Sequence, residues 1–472
     1  MILRIARKEA IEMTRDGRFR WASAAILLLL AGAVIVGWFD SVRLVQERQE
    51  ASQAERKVWT TQQDKNPHSA AHYGAWAFKP ISVLNAVDRG INPYTGTALF
   101  MEGHKVQDAQ YRPVDDATAL ARLGALTAAA TLQWLIPLFI ILLTFPAFAG
   151  ERHQGTLRQL MSLGVRPQTL ATGKSLGLIA PLVVILAPAS ALGAAALLLG
   201  HRDEWSLSRL LVLAAVYLTY FGLYVGLGLL VSARARTVRT SLLVLIAFWF
   251  MNAFLAPRLA NDAATFVRPG PNAAAFAASA EQISKASSKG WKQRGEDIAA
   301  LLMKAHNVDK PEALAVNVPG INLLQSEATE TIAHRRLFAT LADNFEAQNA
   351  VVQAGGIAAP LLAVQSLSRS LTGTDYSHHR HFAEAAESYR LDYVMTLNRD
   401  VALNAKPGAQ WDGEYKVGSD VWKRIPAFSY EAPALSWALR HQMIALSALA
   451  LWVMALLALV PWNVQRIRVD EE

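Results

Sequence analysis

Two groups of histidines are the side chains in this sequence best suited to metal chemistry. His68 and His72 are four residues apart and would share one face of a helix, and His104 follows in the same part of the chain. The second group comprises His378, His379 and His381. Three imidazoles can bind Zn²⁺ or Cu²⁺, but no His-Glu-x-x-His motif supplies paired ligands and a water-activating glutamate. We therefore expect these histidines to take part in polar packing, and we predict neither a metal site nor catalytic residues.

Other enzyme chemistry has little support in the sequence. The segment Thr172-Gly173-Lys174-Ser175 resembles the end of a phosphate-binding loop, but that loop requires a glycine where Gln168 stands. The chain has no cysteine, which excludes disulfides, a thiolate nucleophile and Cys-based metal centres. A Ser-His-Asp triad cannot be assigned from spacing. We expect this chain to bind no cofactor itself.

Residues 150–174 contain a short segment with the pattern of a protein-docking helix. Thr156 is placed to cap a helix in which Leu157, Leu160 and Met161 share one side, and Gly164 can end it in the left-handed conformation. A helix of two turns is not stable alone in water, so exposed leucines here require a surface to pack against. The segment therefore predicts a protein partner.

Long apolar blocks would position these residues, and they indicate a membrane protein. The chain of 472 residues is 53% hydrophobic and 18% charged, whereas a soluble domain carries about 25% charged residues. A helix needs about 20 mainly apolar residues to cross a bilayer. We predict six spans, at residues 21–39, 132–149, 175–199, 210–231, 240–256 and 441–462.

Basic residues near the predicted span ends indicate the orientation. They occur in residues 1–20, 150–174 and 234–239 and in the tail, residues 463–472, which all fall on one side of a six-span protein. That side is expected to be the cytoplasm, so both termini are predicted to be cytoplasmic. Residues 40–130 (the first insertion) and 257–440 (the second insertion) would then be periplasmic. Because the basic residues flank several spans, the net charge of +8 does not indicate nucleic-acid binding.

Three smaller features concern the membrane part. Residues 1–20 are predicted to form an amphipathic helix on the bilayer surface, with Ile2, Leu3, Ala6, Ala10 and Met13 on one face. Gly222, Gly226 and Gly228 have the spacing of close helix packing, either within the subunit or between subunits. No Asp, Glu, Lys or Arg lies within the six predicted cores, unlike in most ion-coupled carriers. Gln133 and Asn252 are polar exceptions, and we expect Asn252 to form an interhelical hydrogen bond.

The sequence resembles a known family over nearly its whole length. The pattern Glu151-Arg152-x-x-Gly155-Thr156-Leu157, followed by Gly164 and by Gly173-Lys174, is similar to that of type 2 ABC transporter permeases. His153 departs from this pattern, since an acidic residue often follows the arginine. The segments Asn66-Pro67-His68 and Thr372-Gly373-Thr374-Asp375 resemble a bacterial subgroup with large periplasmic insertions that carry a domain of unknown function.

The resemblance implies an all-α polytopic membrane protein with six transmembrane helices, an N-terminal interfacial helix and a mainly helical periplasmic domain. It also implies the permease subunit of an ATP-driven exporter in the bacterial inner membrane. A separate ABC ATPase, which binds ATP and Mg²⁺, would dock on the loop between the second and third spans. The coupling residues implied are Glu151, Arg152, Gly155, Thr156, Leu157, Leu160, Met161 and Gly164.

A second permease copy or a paralogue is expected beside this chain, and an envelope or periplasmic protein is a further candidate partner. Two alternatives remain open. An ABC-type mechanotransmission subunit would act on an envelope partner without moving a solute. A membrane metalloenzyme would use the periplasmic histidines.

Overall fold

The computed structural model describes residues 1–115, 118, 127–199 and 206–467. Residues 200–205, which make up most of the predicted short connection between the third and fourth spans, and residues 468–472 at the end of the tail therefore lie outside the described residues. Within the described residues, six helical segments are long and apolar enough to cross a membrane. These segments are spans 1 to 6: Phe19–Thr61, Ala128–His153, Pro167–Pro188, Leu207–Arg234, Val238–Val267 and Met443–Val464. The prediction of an all-α protein with six spans and an N-terminal helix is confirmed.

Helices make up most of the described structure, and there is almost no sheet. In chain order they are α1 (Ile2–Arg15), α2 (Gly17–Thr61), α3 (Pro67–Tyr73), α4 (Ile136–Thr144), α5 (Ala149–His153), α6 (Thr156–Ser162), α7 (Pro167–Leu199), α8 (Ser206–Arg234), α9 (Val238–Phe250), α10 (Ala256–Val267), α11 (Ala273–Ser288), α12 (Trp291–His306), α13 (Val318–Ala354), α14 (Pro360–Leu371), α15 (Tyr376–Asn404), α16 (Ser419–Arg424), α17 (Leu435–Arg440) and α18 (Met443–Val464). One helical turn (Ala128–Ala130) and a π-helical turn (Thr131–Leu135) precede α4, and a second π turn (Met251–Leu255) joins α9 to α10. Strands β1 (Ala75–Phe78) and β2 (Ala98–Met101) pair antiparallel, with Ala75 opposite Met101.

Two spans continue well beyond their predicted ends. Helix α2 has 45 residues, a length of about 68 Å at 1.5 Å per residue, whereas the hydrocarbon layer is about 30 Å thick. Residues 40–61 contain neither Gly nor Pro, so nothing in the sequence ends the helix at the membrane surface. Span 5 likewise continues to Val267, because Pro257 occupies the first turn of α10, where its missing N–H costs little.

Parts of the two insertions form one packed unit whose hydrophobic core is separate from that of the span bundle. Its core includes Trp59 near the end of α2, Phe382 and Tyr393 of α15, and Trp422 of α16. Trp59 Nε1 donates a hydrogen bond to the carbonyl oxygen of Trp422 at 3.0 Å. Helix α2 therefore runs without a break from the apolar part of span 1 to the core of this unit.

A buried arginine joins the long helices of the second insertion. Arg390 of α15 is 1% exposed and forms 2.6 Å ion pairs with Glu327 of α13 and with Glu387. Its guanidinium group also donates to the carbonyl oxygen of Glu102, in the first insertion. Because each charge here has a charged or polar partner, this buried group fixes the relative position of α13, α15 and the strand pair.

Candidate functional site

The predicted coupling segment, residues 150–174, contains α6 and most of α5, the short helix at the end of span 2, and we call this segment the loop between spans 2 and 3. Gly155 joins them with φ +73°, a left-handed conformation that favours glycine. The N-cap of α6 is therefore Gly155, whereas the sequence analysis predicted Thr156. The Thr156 hydroxyl donates instead to the carbonyl oxygen of Glu151 at 3.2 Å, which ties the two helices together.

The end of α6 is closed as the sequence predicts. Gly164 has φ +76°, its N–H donates to the carbonyl oxygen of Met161, and the N–H of Val165 donates to that of Leu160. These two bonds form a Schellman cap, which turns the chain sharply. The turn leaves Leu163 at the tip of the loop with 78% of its surface exposed.

The apolar residues of α6 do not share one exposed face. Leu157 is fully buried in the core of the span bundle, and Leu160 and Met161 are half-buried against that core. A partner protein can reach Leu157 only if the loop rearranges. The large apolar side chain of this loop that is mostly exposed is that of Leu163, which the sequence analysis did not single out.

A buried ion cluster fastens the loop to span 3 and to α1. The Lys174 ammonium group, at the start of span 3, is 2% exposed and lies 2.8 Å from carboxylate oxygens of both Glu9 and Glu151. Lys8 lies 3.7 Å from Glu151 and is half exposed. Charge-assisted hydrogen bonds shielded from water are strong and directional, so these contacts hold the three elements in one arrangement.

Close backbone packing reinforces this attachment. A Cβ atom on Gly173 would lie 2.7 Å from the Cβ of Ile5, and one on Gly177 would lie 2.6 Å from the Cβ of Glu9. Helix α1 therefore packs directly on the first turns of α7, through Ile5 and Glu9 as well as the apolar face predicted from the sequence. Leu3, on that predicted face, stays 78% exposed.

Span 4 is attached to the same loop by a second set of contacts. Arg152 is buried and donates to the carbonyl oxygens of Ala235 at 2.6 Å and Ala233 at 2.9 Å, where α8 ends. A cation at this position also interacts favourably with the helix dipole. The Ser232 hydroxyl accepts hydrogen bonds from the backbone N–H groups of Phe148 and Ala149, at the start of α5. The loop therefore has direct polar contacts with spans 3 and 4.

A polar network lies inside the bundle. The Asn252 side-chain amide donates to the hydroxyl groups of Tyr224 at 2.8 Å and Tyr220 at 3.2 Å, so it forms the predicted interhelical hydrogen bonds. Gln133 donates to the Tyr217 hydroxyl at 3.0 Å. Spans 2, 4 and 5 thus meet around buried polar groups that hydrogen-bond to one another.

Helix α14 of the second insertion completes this network from within the bundle. The Leu361 N–H, in the first turn of α14, donates to Asn252 Oδ1 at 3.1 Å. Gln365 Nε2 donates to Gln133 Oε1 at 3.3 Å. Ser368 donates to Asp88 Oδ2 at 2.6 Å, and its oxygen lies 2.9 Å from the Tyr217 hydroxyl.

The turn between α13 and α14 lies beside the middle of span 6, far from the end at which that span begins. Trp452 Nε1 donates to the carbonyl oxygen of Gly356 in this turn at 3.0 Å. Trp452 lies nine residues after Met443, where span 6 begins, which is a rise of about 13 Å. The α13–α14 hairpin is therefore re-entrant, although the sequence analysis assigned it to a domain outside the bundle. Only four apolar residues, 361–364, precede polar ones in α14, too few to signal insertion.

The three glycines of span 4 have different surroundings. A Cβ on Gly228 would lie 2.0 Å from Thr144 Oγ1 of span 2, and one on Gly226 would lie 3.3 Å from Leu456 of span 6. A Cβ on Gly222 would meet no neighbouring atom within 4 Å among the described residues. Gly226 and Gly228 therefore serve packing within the subunit, and Gly222 has an open side.

The second histidine group does not converge. His378 Nδ1 lies 2.5 Å from Asp375 Oδ1, and His381 Nδ1 lies 2.9 Å from the Tyr430 hydroxyl. Burial lowers the pKa of His379 to about 3, so this ring is neutral. The first group does converge: one ring nitrogen from each of His68, His72 and His104 lies within 4.8 Å of the others.

Two family models match this chain. The model of a family described as ABC-2 family transporter protein matches residues 3–296. The model of a domain of unknown function, DUF3526, matches residues 274–431, which lie within the second insertion. No curated protein matches the chain. The resemblance to type 2 permeases with an uncharacterised domain is confirmed, and this chain is a multi-pass membrane transporter subunit that belongs to the ABC-2 family.

Proposed function

We propose that this chain is the permease subunit of an ATP-driven exporter and that a separate ATPase docks on the loop between spans 2 and 3. The observation that carries the proposal is the attachment of this loop to the spans. Glu151 bonds to Lys174 of span 3, and Arg152 bonds to the carbonyl oxygens at the end of span 4. A displacement of α6 would therefore be transmitted to both spans, since breaking either contact would leave a buried charge without its partner.

The docking surface we propose is the tip of the loop around Leu163. The Leu163 side chain is 78% exposed, and its burial in a pocket of a partner would lower the free energy of the complex. Basic residues flank the spans on this side, which supports a cytoplasmic location for the loop and for both termini, in the inner membrane of a bacterium. ATP and Mg²⁺ would be bound by the partner ATPase.

We assign α14 the role of a gate on the periplasmic side of the bundle. Its hydrogen bonds to Asn252, Gln133 and Asp88 hold it among the spans. The bonds to Asn252 and Gln133 contribute only about 1 kcal/mol net each, and the bond to the Asp88 carboxylate about 1.5–3 kcal/mol, so ATP-driven rearrangement of spans 2, 4 and 5 would be able to release the helix. A second permease copy or paralogue would complete the pathway, and the open side of Gly222 is a candidate contact for it.

Purification of the complex from the native membrane tests the docking proposal. Leu163→Glu should remove the co-purifying ATPase while the permease stays folded, because the side chain is mostly exposed. Leu301→Glu is the matched control: Leu301 is 68% exposed but lies on α12 of the second insertion. An ATPase that stays bound to the Leu163→Glu variant would contradict the proposed docking surface.

One observation favours a second function, mechanotransmission without solute transport. Helix α2 is unbroken from span 1 to the core of the packed insertions, where Arg56 donates to the carbonyl oxygen of Ile425 at 2.8 Å. Such a helix would convey a movement of the bundle to an envelope protein bound to this unit. In that case α14 could remain in place throughout the ATPase cycle.

A reversible lock on α14 separates the two functions, and the absence of native cysteine makes it specific. Gln133→Cys combined with Gln365→Cys places two thiols across the gate, and a bifunctional thiol reagent with a reducible linker would join them, because the two glutamine side chains meet end to end. If the bundle opens at α14, cross-linking should suppress ATP hydrolysis by the purified complex, and reduction should restore it. Hydrolysis that is unaffected by cross-linking would favour mechanotransmission. The single variant Gln365→Cys controls for the reagent.

A further inference from the structure

The histidines of the first insertion are brought together by two different backbone elements. His68 and His72 lie one turn apart on α3, and their Nε2 atoms are 3.1 Å from each other. His104 follows β2 with φ +65°, and its ring centroid lies 5.2 Å from that of His68 and 5.4 Å from that of His72. In this left-handed conformation, which is uncommon for residues other than glycine, the His104 ring lies beside the other two rings.

Polar partners hold two of these rings in the orientation that metal ligation requires. His104 Nδ1 lies 3.0 Å from Glu327 Oε2, which also accepts the His104 backbone N–H at 2.9 Å. His68 Nδ1 lies 2.9 Å from Asn398 Oδ1. Both partners are oxygen acceptors, so each Nδ1 carries the hydrogen and each Nε2 presents a lone pair. Metal-binding histidines are usually oriented by such a carboxylate or carbonyl on the other ring nitrogen.

We propose that His68, His72 and His104 form a binding site for a transition-metal dication of the Zn²⁺ class. Two nitrogens bound to one tetrahedral Zn²⁺ at about 2.05 Å are about 3.3 Å apart, close to the 3.1 Å between His68 and His72. Imidazole ligands suit Zn²⁺ and Cu²⁺ and do not suit Mg²⁺ or Ca²⁺. His72 is exposed, so the fourth coordination position would be open to water or to a donor atom from another molecule.

The site also joins parts of the chain that are far apart in sequence. The three ligands belong to the first insertion, whereas Glu327 and Asn398 belong to α13 and α15 of the second. A bound ion would therefore stabilise the packed unit formed by the two insertions. Glu327 is also paired with the buried Arg390, so the orientation of His104 is connected to the central ion pairs of that unit.

Metal binding by the purified full-length protein in detergent tests the proposal. Zn²⁺ should bind with a stoichiometry of one per chain after dialysis, measured by elemental analysis, and Co²⁺ should give the visible absorption of a tetrahedral complex. Replacing an outer partner of a metal ligand weakens affinity by about 10- to 100-fold. His72→Ala removes a ligand and should weaken Zn²⁺ binding at least that much. Because His72 is exposed, the variant should keep the unfolding temperature of the metal-free protein.

The control variant is His306→Ala, which removes an exposed histidine on α12. It should bind Zn²⁺ as the unaltered protein does, and Zn²⁺ should raise the unfolding temperature of both. Absence of stoichiometric Zn²⁺, or equal affinity in the His72→Ala and His306→Ala variants, would overturn the proposal and leave an ordinary hydrogen bond between His68 and His72. Neither result depends on whether the ATPase docks at Leu163.

Discussion

At the scale of single residues, Lys174 explains most about how the loop between spans 2 and 3 is held. Its ammonium group balances two carboxylates that come from α1 and α5, in a place almost without water. Removing one partner of such a group leaves an uncompensated buried charge, which costs more than the contact itself contributes. Lys174 is therefore both a structural residue and the point where the loop engages span 3.

Lys174→Met should destabilise the protein by about 3–5 kcal/mol, because Glu9 and Glu151 would lose their buried cation and keep only the half-exposed Lys8 nearby. Unfolding in detergent micelles measures this change. Lys8→Met is a matched control from the same cluster: Lys8 is half exposed and 3.7 Å from Glu151, so its loss should cost about 0–1 kcal/mol. Equal losses in the free energy of unfolding for the two variants would contradict the stabilising role of the buried Lys174 contacts.

The sequence predicted the residue types at the candidate site better than their contacts. Asn252 was recognised as an interhelical hydrogen-bond residue because an amide in an apolar segment requires partners. Leu157 and Leu163 could not be distinguished, since burial depends on how α6 lies against the spans and not on its own periodicity. Lys174 was noted only within a false nucleotide-binding motif and as part of the family pattern, because its partners Glu9 and Glu151 are far away in the sequence.

At the scale of elements, the sequence located the spans but not the helices that continue or re-enter them. Apolar blocks mark where a helix crosses lipid, and all six were found. The extension of α2 beyond the membrane has no apolar signal and follows only from the absence of a helix breaker in residues 40–61. The insertion of α14 depends on tertiary hydrogen bonds from three spans, which a short and partly polar helix does not reveal.

The glycines of span 4 give a prediction about helix packing. Gly228→Ala places a methyl group 2.0 Å from Thr144 Oγ1, so spans 2 and 4 must separate, at a cost of about 1–3 kcal/mol. Gly222→Ala, six residues earlier on the same helix, meets nothing within 4 Å among the described residues of the subunit. Thermal unfolding in detergent should show a lower unfolding temperature for Gly228→Ala and an unchanged one for Gly222→Ala. Destabilisation of an oligomer by Gly222→Ala would instead identify its open side as a subunit interface, and an unaffected Gly228→Ala variant would contradict the packing described here.

At the scale of the whole molecule, polar contacts run from the loop to the insertions. The loop is bonded to spans 3 and 4, and Tyr217 and Tyr220 of span 4 belong to the network that holds α14. Helix α14 continues from α13, which is ion-paired to α15 in the packed unit of the insertions. In the proposed function, a movement that begins at α6 would be transmitted across the bundle through these packed and hydrogen-bonded groups.

Site-specific photo-crosslinking in the native cell tests the central claim, docking of a separate ATPase at the loop, most directly. A photoreactive phenylalanine analogue would replace Leu163, with Leu301 as the matched position on the second insertion, and mass spectrometry would identify the captured protein. The account predicts that position 163 captures a polypeptide with a nucleotide-binding P-loop and that position 301 does not. Capture of such an ATPase from position 301, or its absence from position 163, would contradict it.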